Sequence, residues 1–118
     1  MCINNYNSLY KTGKNIEPFI ETDADEGYKK IPLGIKGVYI FKDRETRQIL
    51  YAGKAKDLRK RIYQYTHLGY GKAFDKYQRI ADKHYFIDLL VFKSDDNYLL
   101  EDYFIKKHNP PFNTRREL

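Results

Sequence analysis

The sequence predicts a small α/β domain in which a three-stranded antiparallel or mixed sheet is flanked by helices, in the order β-β-α-α-β-α. Two short apolar segments, residues 37–41 and 49–52, enclose a charged, turn-prone stretch, which is typical of a β-hairpin. Apolar residues then recur at helical spacing in three segments, and an apolar run at residues 86–92 separates the second from the third. A chain of 118 residues is long enough for one such domain.

The hairpin is predicted to pair residues 35–42 with residues 48–52. Gly37 and Gly53 fall within or directly after these strands. Glycine in a strand marks a bulge or a place where another group approaches the backbone, and simple turn chemistry is the alternative.

Helices and one further strand follow the hairpin. The predicted helices span residues 57–67, 72–83 and 95–107. In the first of them Leu58, Ile62 and Tyr65 lie at i, i+4 and i+7 and form its buried side. The third strand, residues 85–92, is apolar on both faces except at Asp88, which predicts an interior strand of the sheet.

The domain itself is predicted at residues 35–114. Residues 1–34 show neither helical nor strand periodicity, which predicts a leader that is irregular or ordered only by packing on the body. Residues 115–118 form a short tail, and no second domain is expected after it.

Net charge favours a polyanionic partner for the fold. The chain carries +6, distributed as −1 over residues 1–34 and +7 over residues 35–118. A basic fold is typical of nucleic-acid-binding proteins, although basic proteins without such a partner are also common. Five cations within eight positions are the candidate nucleic-acid-binding residues: Lys54, Lys56, Arg59, Lys60 and Arg61.

Several classes of protein are excluded by what the sequence lacks. No apolar run approaches the roughly 20 residues of a membrane span and no export signal is visible, so we expect an intracellular, cytoplasmic protein without a membrane partner. Cys2 is the only cysteine, and His67, His84 and His108 lack the spacing of a zinc site. The sequence contains no phosphate-binding loop of the NTPase or dinucleotide type.

Residues suited to phosphodiester hydrolysis lie in and after the hairpin. Tyr39, Tyr51 and Lys54 share a cationic environment, in which the pKa of a lysine falls and phenols ionise more easily. Either tyrosine could then assist proton transfer from a water. Arg61 follows Lys54 by about two helical turns and could present its guanidinium to a phosphate. Glu101, beside the apolar stripe of the third helix, is the candidate ligand for a hard metal ion.

Each of these residues also has an ordinary structural explanation. Packing or solvation is the usual role of a single Tyr or Lys, and a solvated helix face is the usual role of an Arg. Asp102 competes with Glu101 for the metal-binding role, and an exposed helix carboxylate is the alternative for both. The cluster therefore carries more weight than any one of its members.

The motif residues resemble those of a known family. Gly37-Val38-Tyr39, followed after eleven residues by Tyr51-Ala52-Gly53, resembles the signature of the GIY-YIG nuclease superfamily. Residues 49–62 and 99–113 are similar to the UvrC-type nuclease domain in particular. The resemblance covers about residues 35–114.

The resemblance implies a small antiparallel sheet flanked by helices, and cleavage of DNA phosphodiesters with one Mg²⁺, for which Mn²⁺ could substitute. It assigns Tyr39 to activation of the attacking water, and Tyr51 to a hydrogen bond in the site. Lys54 would tune the tyrosine or the water, and Tyr65 would support the geometry in which Arg61 holds the scissile phosphate.

The other site residues implied by the resemblance contact the phosphate, the metal and the backbone. Arg61 would hold the scissile phosphate, Glu101 would ligate Mg²⁺, and Asn113 would brace the active-site backbone. Ala52 replaces a bulkier residue of the second motif, which leaves space that another side chain must fill.

The sequence thus predicts a stand-alone, metal-dependent DNA endonuclease that is a monomer or a homodimer, the dimer being suited to double-strand cutting. Two alternatives stay open. One is a nucleic-acid-binding module without turnover, and the other is a small basic module that binds an acidic protein. The sequence does not distinguish DNA from RNA.

Overall fold

The structure, a computed structural model, describes residues 16–113. Its strands are β1 (Ile20–Asp23), β2 (Gly37–Asp43), β3 (Ile49–Ala55) and β4 (Ile87–Lys93). Its helices are α1 (Leu58–Thr66), α2 (Lys72–Lys83) and α3 (Asn97–His108), and a short 3-10 helix spans Gly27–Lys30. Cys2, the first part of the predicted leader and the predicted tail at residues 115–118 lie outside the described residues.

The strands within residues 16–113 form one antiparallel sheet in the order β1-β4-β2-β3. The predicted α/β class is confirmed, but the predicted number of three strands is one too few. The additional strand, β1, pairs Ile20 with Val91 of β4. Four residues are too few to show a strand pattern, and pairing with a distant strand supplies the hydrogen bonds that order them. β4 is an interior strand, as its apolar character on both faces predicts.

The sheet separates two cores, because successive side chains of β2 point to opposite faces. Tyr39 and Phe41 pack on one face with α1 and α2. Val38 and Ile40 pack on the other face with Leu100 and its neighbours in α3. The domain therefore has three layers, with the sheet in the middle.

The helices agree closely with the predicted ones, and α2 spans the predicted residues 72–83. The N-cap of α1 is Asp57, whose side chain accepts a hydrogen bond from the Lys60 amide. α3 begins two residues later than predicted, at Asn97. Crossing a bilayer takes about 20 apolar residues, and none of the helices in the described part of the chain meets that requirement.

Both strand glycines lie where another group approaches the backbone. A Cβ on Gly53 would overlap the ring of Tyr39, its partner across the β2–β3 ladder. A Cβ on Gly37 would overlap the main-chain carbonyl of Phe92 in β4. Neither glycine adopts the left-handed conformation. Both glycines are therefore explained by a neighbouring group that leaves no room for a side chain, and not by the geometry of a turn.

Gly53→Ala is expected to lower the free energy of unfolding by about 1–3 kcal/mol, the range typical of overpacking a core. The reason is the overlap between the new Cβ and the Tyr39 ring. Urea denaturation of the two proteins measures the difference. In a Tyr39→Ala background the same substitution should cost much less. An undiminished cost there would show that Tyr39 is not the group that excludes a side chain.

Candidate active site

Three tyrosines from β2, β3 and α1 pack together on the face of the sheet that carries α1. The hydroxyl of Tyr39 donates a hydrogen bond to the hydroxyl of Tyr65 at 2.8 Å. The ring centroid of Tyr51 lies 6.3 Å from that of Tyr39 and 6.1 Å from that of Tyr65. Tyr39 and Tyr65 are each 1% exposed, whereas Tyr51 is partly exposed. Tyr51 therefore forms the outer edge of the cluster.

Burial keeps all three phenols neutral. It raises the pKa of Tyr39, Tyr51 and Tyr65 far above the ordinary value of about 10, because the anion would lose its hydration. The charge of the nearby Arg61 lowers each pKa, but by less than burial raises it. The expectation that Tyr39 and Tyr51 ionise more easily is therefore wrong. They act as neutral hydrogen-bonding groups.

Arg61 lies on the side of α1 that faces this tyrosine cluster. Its guanidinium carbon is 5.2 Å from the centroid of the Tyr65 ring. One of its terminal nitrogens donates a hydrogen bond to the side-chain oxygen of Gln64 at 2.9 Å. Stacking and this hydrogen bond restrict the guanidinium, which is always charged at neutral pH. The arrangement suits an anion that arrives beside Tyr39.

Glu101 reaches the same place from α3, on the opposite face of the sheet. Its carboxylate lies 3.4 Å from the ammonium of Lys54 and is near enough to raise the pKa of Tyr51. The ammonium also lies 4.9 Å from the centroid of the Tyr98 ring. Asp102, the competing carboxylate, instead pairs with Lys106 one turn along the helix at 2.9 Å. The geometry thus favours Glu101 over Asp102.

Side chains of both sheet faces can meet here because β3 is the edge strand. Tyr51 points to the α1 side, and Lys54, three residues later, points to the α3 side. Glu101 therefore reaches the cluster from the α3 side around the edge of β3, whereas Arg61 contacts it directly on the α1 side. The sequence indicated Glu101 and Arg61 as candidates, but it did not predict that side chains from opposite faces of the sheet meet at the edge of β3.

Asn113 closes the exposed edge of β3. The amide N–H of Ala52 donates to the side-chain oxygen of Asn113 at 2.8 Å, and the side-chain nitrogen of Asn113 donates to the carbonyl of Ala52 at 2.8 Å. The Phe112 amide also donates to the Leu50 carbonyl at 3.0 Å. Ala52 itself is fully buried in the core that contains Leu100, so side chains of that core fill the space beside its small methyl group.

The five predicted nucleic-acid-binding cations do not all converge on one point. Arg61 and Lys54 lie at the tyrosine cluster, and Lys56 is exposed just beyond the end of β3. Arg59 points to the outer side of α1, where it donates to the carbonyl of Ile31 at 3.4 Å. Lys60 is exposed. The cations therefore divide between the tyrosine cluster and the outer surface of α1.

Lys76 of α2 is a site residue that sequence reasoning missed. Its ammonium lies 4.7 Å from the centroid of the Tyr51 ring and donates to the carbonyl of Phe112 at 2.8 Å. It thereby connects α2 to both Tyr51 and the segment that carries Asn113. No local pattern could have indicated it, because both partners are distant in sequence.

The donor set around Glu101 fits a hard divalent cation bound mainly by water and substrate. Within residues 16–113 no group of three or more His, Cys, Asp or Glu side chains could enclose a metal ion. Mg²⁺ often takes only one or two carboxylates and keeps several waters and phosphate oxygens. A single carboxylate at the edge of the tyrosine cluster satisfies that requirement. Lys54, which pairs with this carboxylate, would share it with the ion or give up the ion pair.

Residues 35–114 match the family model described as the UvrC-like GIY-YIG domain. The UvrABC system protein C of Protochlamydia amoebophila is 39% identical over 88 residues, which are 72% of this chain and 14% of that protein. The protein of the same name from Lachnospira eligens is 34% identical over 92 residues, which are 78% of this chain and 15% of that protein. The chain therefore spans about one seventh of the length of these relatives.

The chain is also similar to solved structures of the GIY-YIG N-terminal endonuclease domain of UvrC from Thermotoga maritima. A point mutant bound to the catalytic divalent cation has a TM-score of 0.55 and 30% identity, and the match covers 76% of this chain and 98% of that chain. The magnesium-bound domain has a TM-score of 0.54 and 29% identity, and that match covers 75% of this chain and 98% of that chain. The similarity extends over nearly all of that domain.

Asn113→Ala should accelerate hydrogen exchange at the Ala52 amide, because both hydrogen bonds to the strand edge are lost. The expected loss of stability is about 1–3 kcal/mol, as for a polar group left unsatisfied. Asn113→Asp is the matched variant, since its carboxylate can still accept from the Ala52 amide. Unchanged exchange at Ala52 in the alanine variant would contradict the bracing role.

Stability should fall as the pH rises above about 10, the ordinary pKa of tyrosine. In the unfolded chain Tyr39, Tyr51 and Tyr65 ionise near that pH, whereas in the folded chain burial raises their pKa and they keep their protons. The unfolded state then binds fewer protons, so the free energy of unfolding decreases with pH. Urea denaturation at pH values from about 8 to 11 measures the slope, which Tyr39→Phe should reduce. An equal slope in that variant would contradict the assignment.

Proposed function

The chain belongs to the family of UvrC-like GIY-YIG nuclease domains, and on that basis we propose that it is a metal-dependent endonuclease that hydrolyses DNA phosphodiester bonds. One observation carries the proposal. The guanidinium of Arg61 lies against the Tyr65 ring, and the carboxylate of Glu101, paired with Lys54, lies beside Tyr51 at the edge of the same tyrosine cluster. Arg61 can bind an anionic substrate, and Glu101 can bind the cation that such a substrate needs. The two residues come from different layers of the fold but meet at one edge of the sheet.

Arg61 is proposed to bind the scissile phosphate. Its fork of N–H groups matches two phosphate oxygens, and its contacts with Gln64 and the Tyr65 ring hold it ready before substrate arrives. A preorganised cation stabilises charge that develops on the phosphate without reorganisation during the reaction. Its place at the tyrosine cluster would bring the bound phosphate close to Tyr39.

Tyr39 is proposed to position the attacking water as a neutral phenol. Its hydroxyl proton is directed to Tyr65, so its oxygen can accept a hydrogen bond; because Tyr39 is buried, the water would have to reach it from the Tyr51 edge of the cluster. Tyr51 and Lys54 lie at the outer edge of the same cluster, where a substrate would meet them. Asn113 and Lys76 support the strand and the ring that present these groups.

Glu101 is proposed to hold the divalent cation, Mg²⁺ with Mn²⁺ as the substitute. When bound there, the ion would polarise the phosphate and lower the pKa of a water. Lys54 pairs with the same carboxylate at the partly exposed edge of the site, and its positive charge balances that of the carboxylate. The magnesium-bound Thermotoga domain supports the choice of ion by similarity.

DNA is the proposed partner, and the net charge of +6 supports a polyanion. One site cuts one strand at a time, so a monomer would produce nicks and a homodimer could cut both strands. The oligomeric state, an intracellular location and action without a further domain stay predictions.

A nucleic-acid-binding module without turnover is the second candidate. The ion pair between Lys54 and Glu101 favours it, because an ammonium occupies the carboxylate that a cation would need. Nicking of supercoiled plasmid in Mg²⁺ or Mn²⁺ by the wild-type chain separates the candidates, since the second one predicts no nicking with either ion.

Glu101→Gln should slow Mg²⁺-dependent nicking by at least about 100-fold, the scale on which loss of one charge-stabilising group acts. Affinity for DNA should stay equal or rise slightly, because the variant removes a negative charge near the phosphate. Asp102→Asn is the control, since Asp102 pairs with Lys106 on the helix surface. Nicking by Glu101→Gln at the wild-type rate would contradict the metal assignment.

A further inference from the structure

A second surface lies on the outer side of α1, away from the cluster of Tyr39, Tyr51 and Tyr65. It is an open cleft of about 400 Å³, within the range of ligand-binding pockets. Its walls include Tyr28 and Leu33 from before β2, and Arg59, Lys60, Tyr63 and Gln64 from α1. We call it the aromatic cleft. Tyr28 and Leu33 precede the residues that match the family model, so one wall is contributed from outside that match.

Aromatic rings form the floor of the aromatic cleft and remain accessible. Tyr28 meets Tyr63 edge to face at 5.3 Å between ring centroids. His67 stacks on Tyr63 at 5.6 Å with an angle of 15° between the ring planes. Tyr63 nevertheless keeps 41% of its surface exposed, and Leu33 keeps 64%.

Cations stand directly beside these rings. The guanidinium carbon of Arg59 lies 5.9 Å from the centroid of the Tyr28 ring, and a hydrogen bond to the Ile31 carbonyl fixes the side chain there. Lys60 is exposed one turn before Gln64. The nearby carboxylate of Glu26 is already paired with Lys29 at 2.6 Å and with His67 at 3.3 Å. Exposed rings next to cations are typical of sites for single-stranded nucleic acid, where bases stack and phosphates are neutralised.

The aromatic cleft adjoins the residue proposed to bind the scissile phosphate. Gln64 lines the cleft and also accepts the hydrogen bond from Arg61 at 2.9 Å. Lys60, Arg61, Tyr63 and Gln64 lie within about one and a half helical turns of α1. A strand whose phosphate is held at Arg61 would therefore bring its next nucleotide to the cleft.

We propose that the aromatic cleft binds an unpaired nucleobase of the DNA strand whose phosphate lies at Arg61. Tyr63 provides the stacking surface, and Arg59 and Lys60 neutralise the adjoining phosphates. This inference rests on the proposed function and adds a substrate class to it: DNA with unpaired nucleotides beside the cleavage site. A base within a duplex presents no free face to the cleft.

The test measures binding of two oligonucleotides in chelator, without cleavage. One is a single strand with 2-aminopurine at one position, and the other is the corresponding duplex. The wild-type chain should bind the single strand and quench the 2-aminopurine fluorescence by stacking. Tyr63→Ala and Tyr28→Ala should weaken single-strand binding by about 5- to 100-fold and reduce the quenching, with little effect on the duplex.

Two further variants serve as controls. Tyr63→Phe keeps the ring and should retain both affinity and quenching. Tyr85→Ala removes a tyrosine that is 87% exposed but lies outside the cleft, and it should bind both oligonucleotides as the wild type does. Unchanged single-strand binding and quenching in Tyr63→Ala and Tyr28→Ala would overturn the proposal. So would an equal loss for the single strand and the duplex, which would indicate general phosphate binding.

Plasmid nicking by the wild-type chain separates this proposal from the nuclease function. Normal nicking together with unchanged single-strand binding in the cleft variants would reject the base site alone. Absence of nicking, together with quenching that Tyr63→Ala removes, would reject the nuclease and support the base site.

Discussion

The packing of the Tyr39 ring across Gly53 is the constraint on which the rest of the site depends. It fills the space where a side chain on β3 would stand, and it brings the phenol against Tyr65 of α1. This hydrogen bond and the ring contacts tie the hairpin to α1, the helix that carries Arg61. A side chain at position 53 would displace the Tyr39 ring and would change both its burial and its hydrogen bond to Tyr65.

Desolvation determines the electrostatic character of this site. Burial raises the pKa of Tyr39, Tyr51 and Tyr65 more than the neighbouring guanidinium lowers it. Formal charge therefore resides on groups at the edge of the cluster, Arg61 and the pair of Lys54 and Glu101, while the interior is neutral. In the proposed site, water and phosphate would meet formal charge only at that edge.

The segment before β2 contributes more than a connection to the domain. β1 adds a strand beside β4, and Tyr28 and Leu33 form one wall of the aromatic cleft. The basic residues of α1 are thereby divided between two surfaces, with Arg61 directed to the tyrosine cluster and Arg59 to the cleft. Gln64 contacts both, and so one helix connects a proposed phosphate site with a proposed base site.

Short-range patterns in the sequence determined the hairpin, the three helices and the interior place of β4, and together with the family resemblance they supplied the candidate site residues. These features depend on spacing within a few residues, such as that of Leu58 and Ile62 on one side of α1, or on a short motif such as Tyr51-Ala52-Gly53. Only the tertiary structure decided that β1 pairs with β4, that burial outweighs the cationic field at the phenols, and that Lys76 supports Tyr51. Each of these depends on groups far apart in the chain, and on how much water they exclude when they meet. Local periodicity contains no information about either.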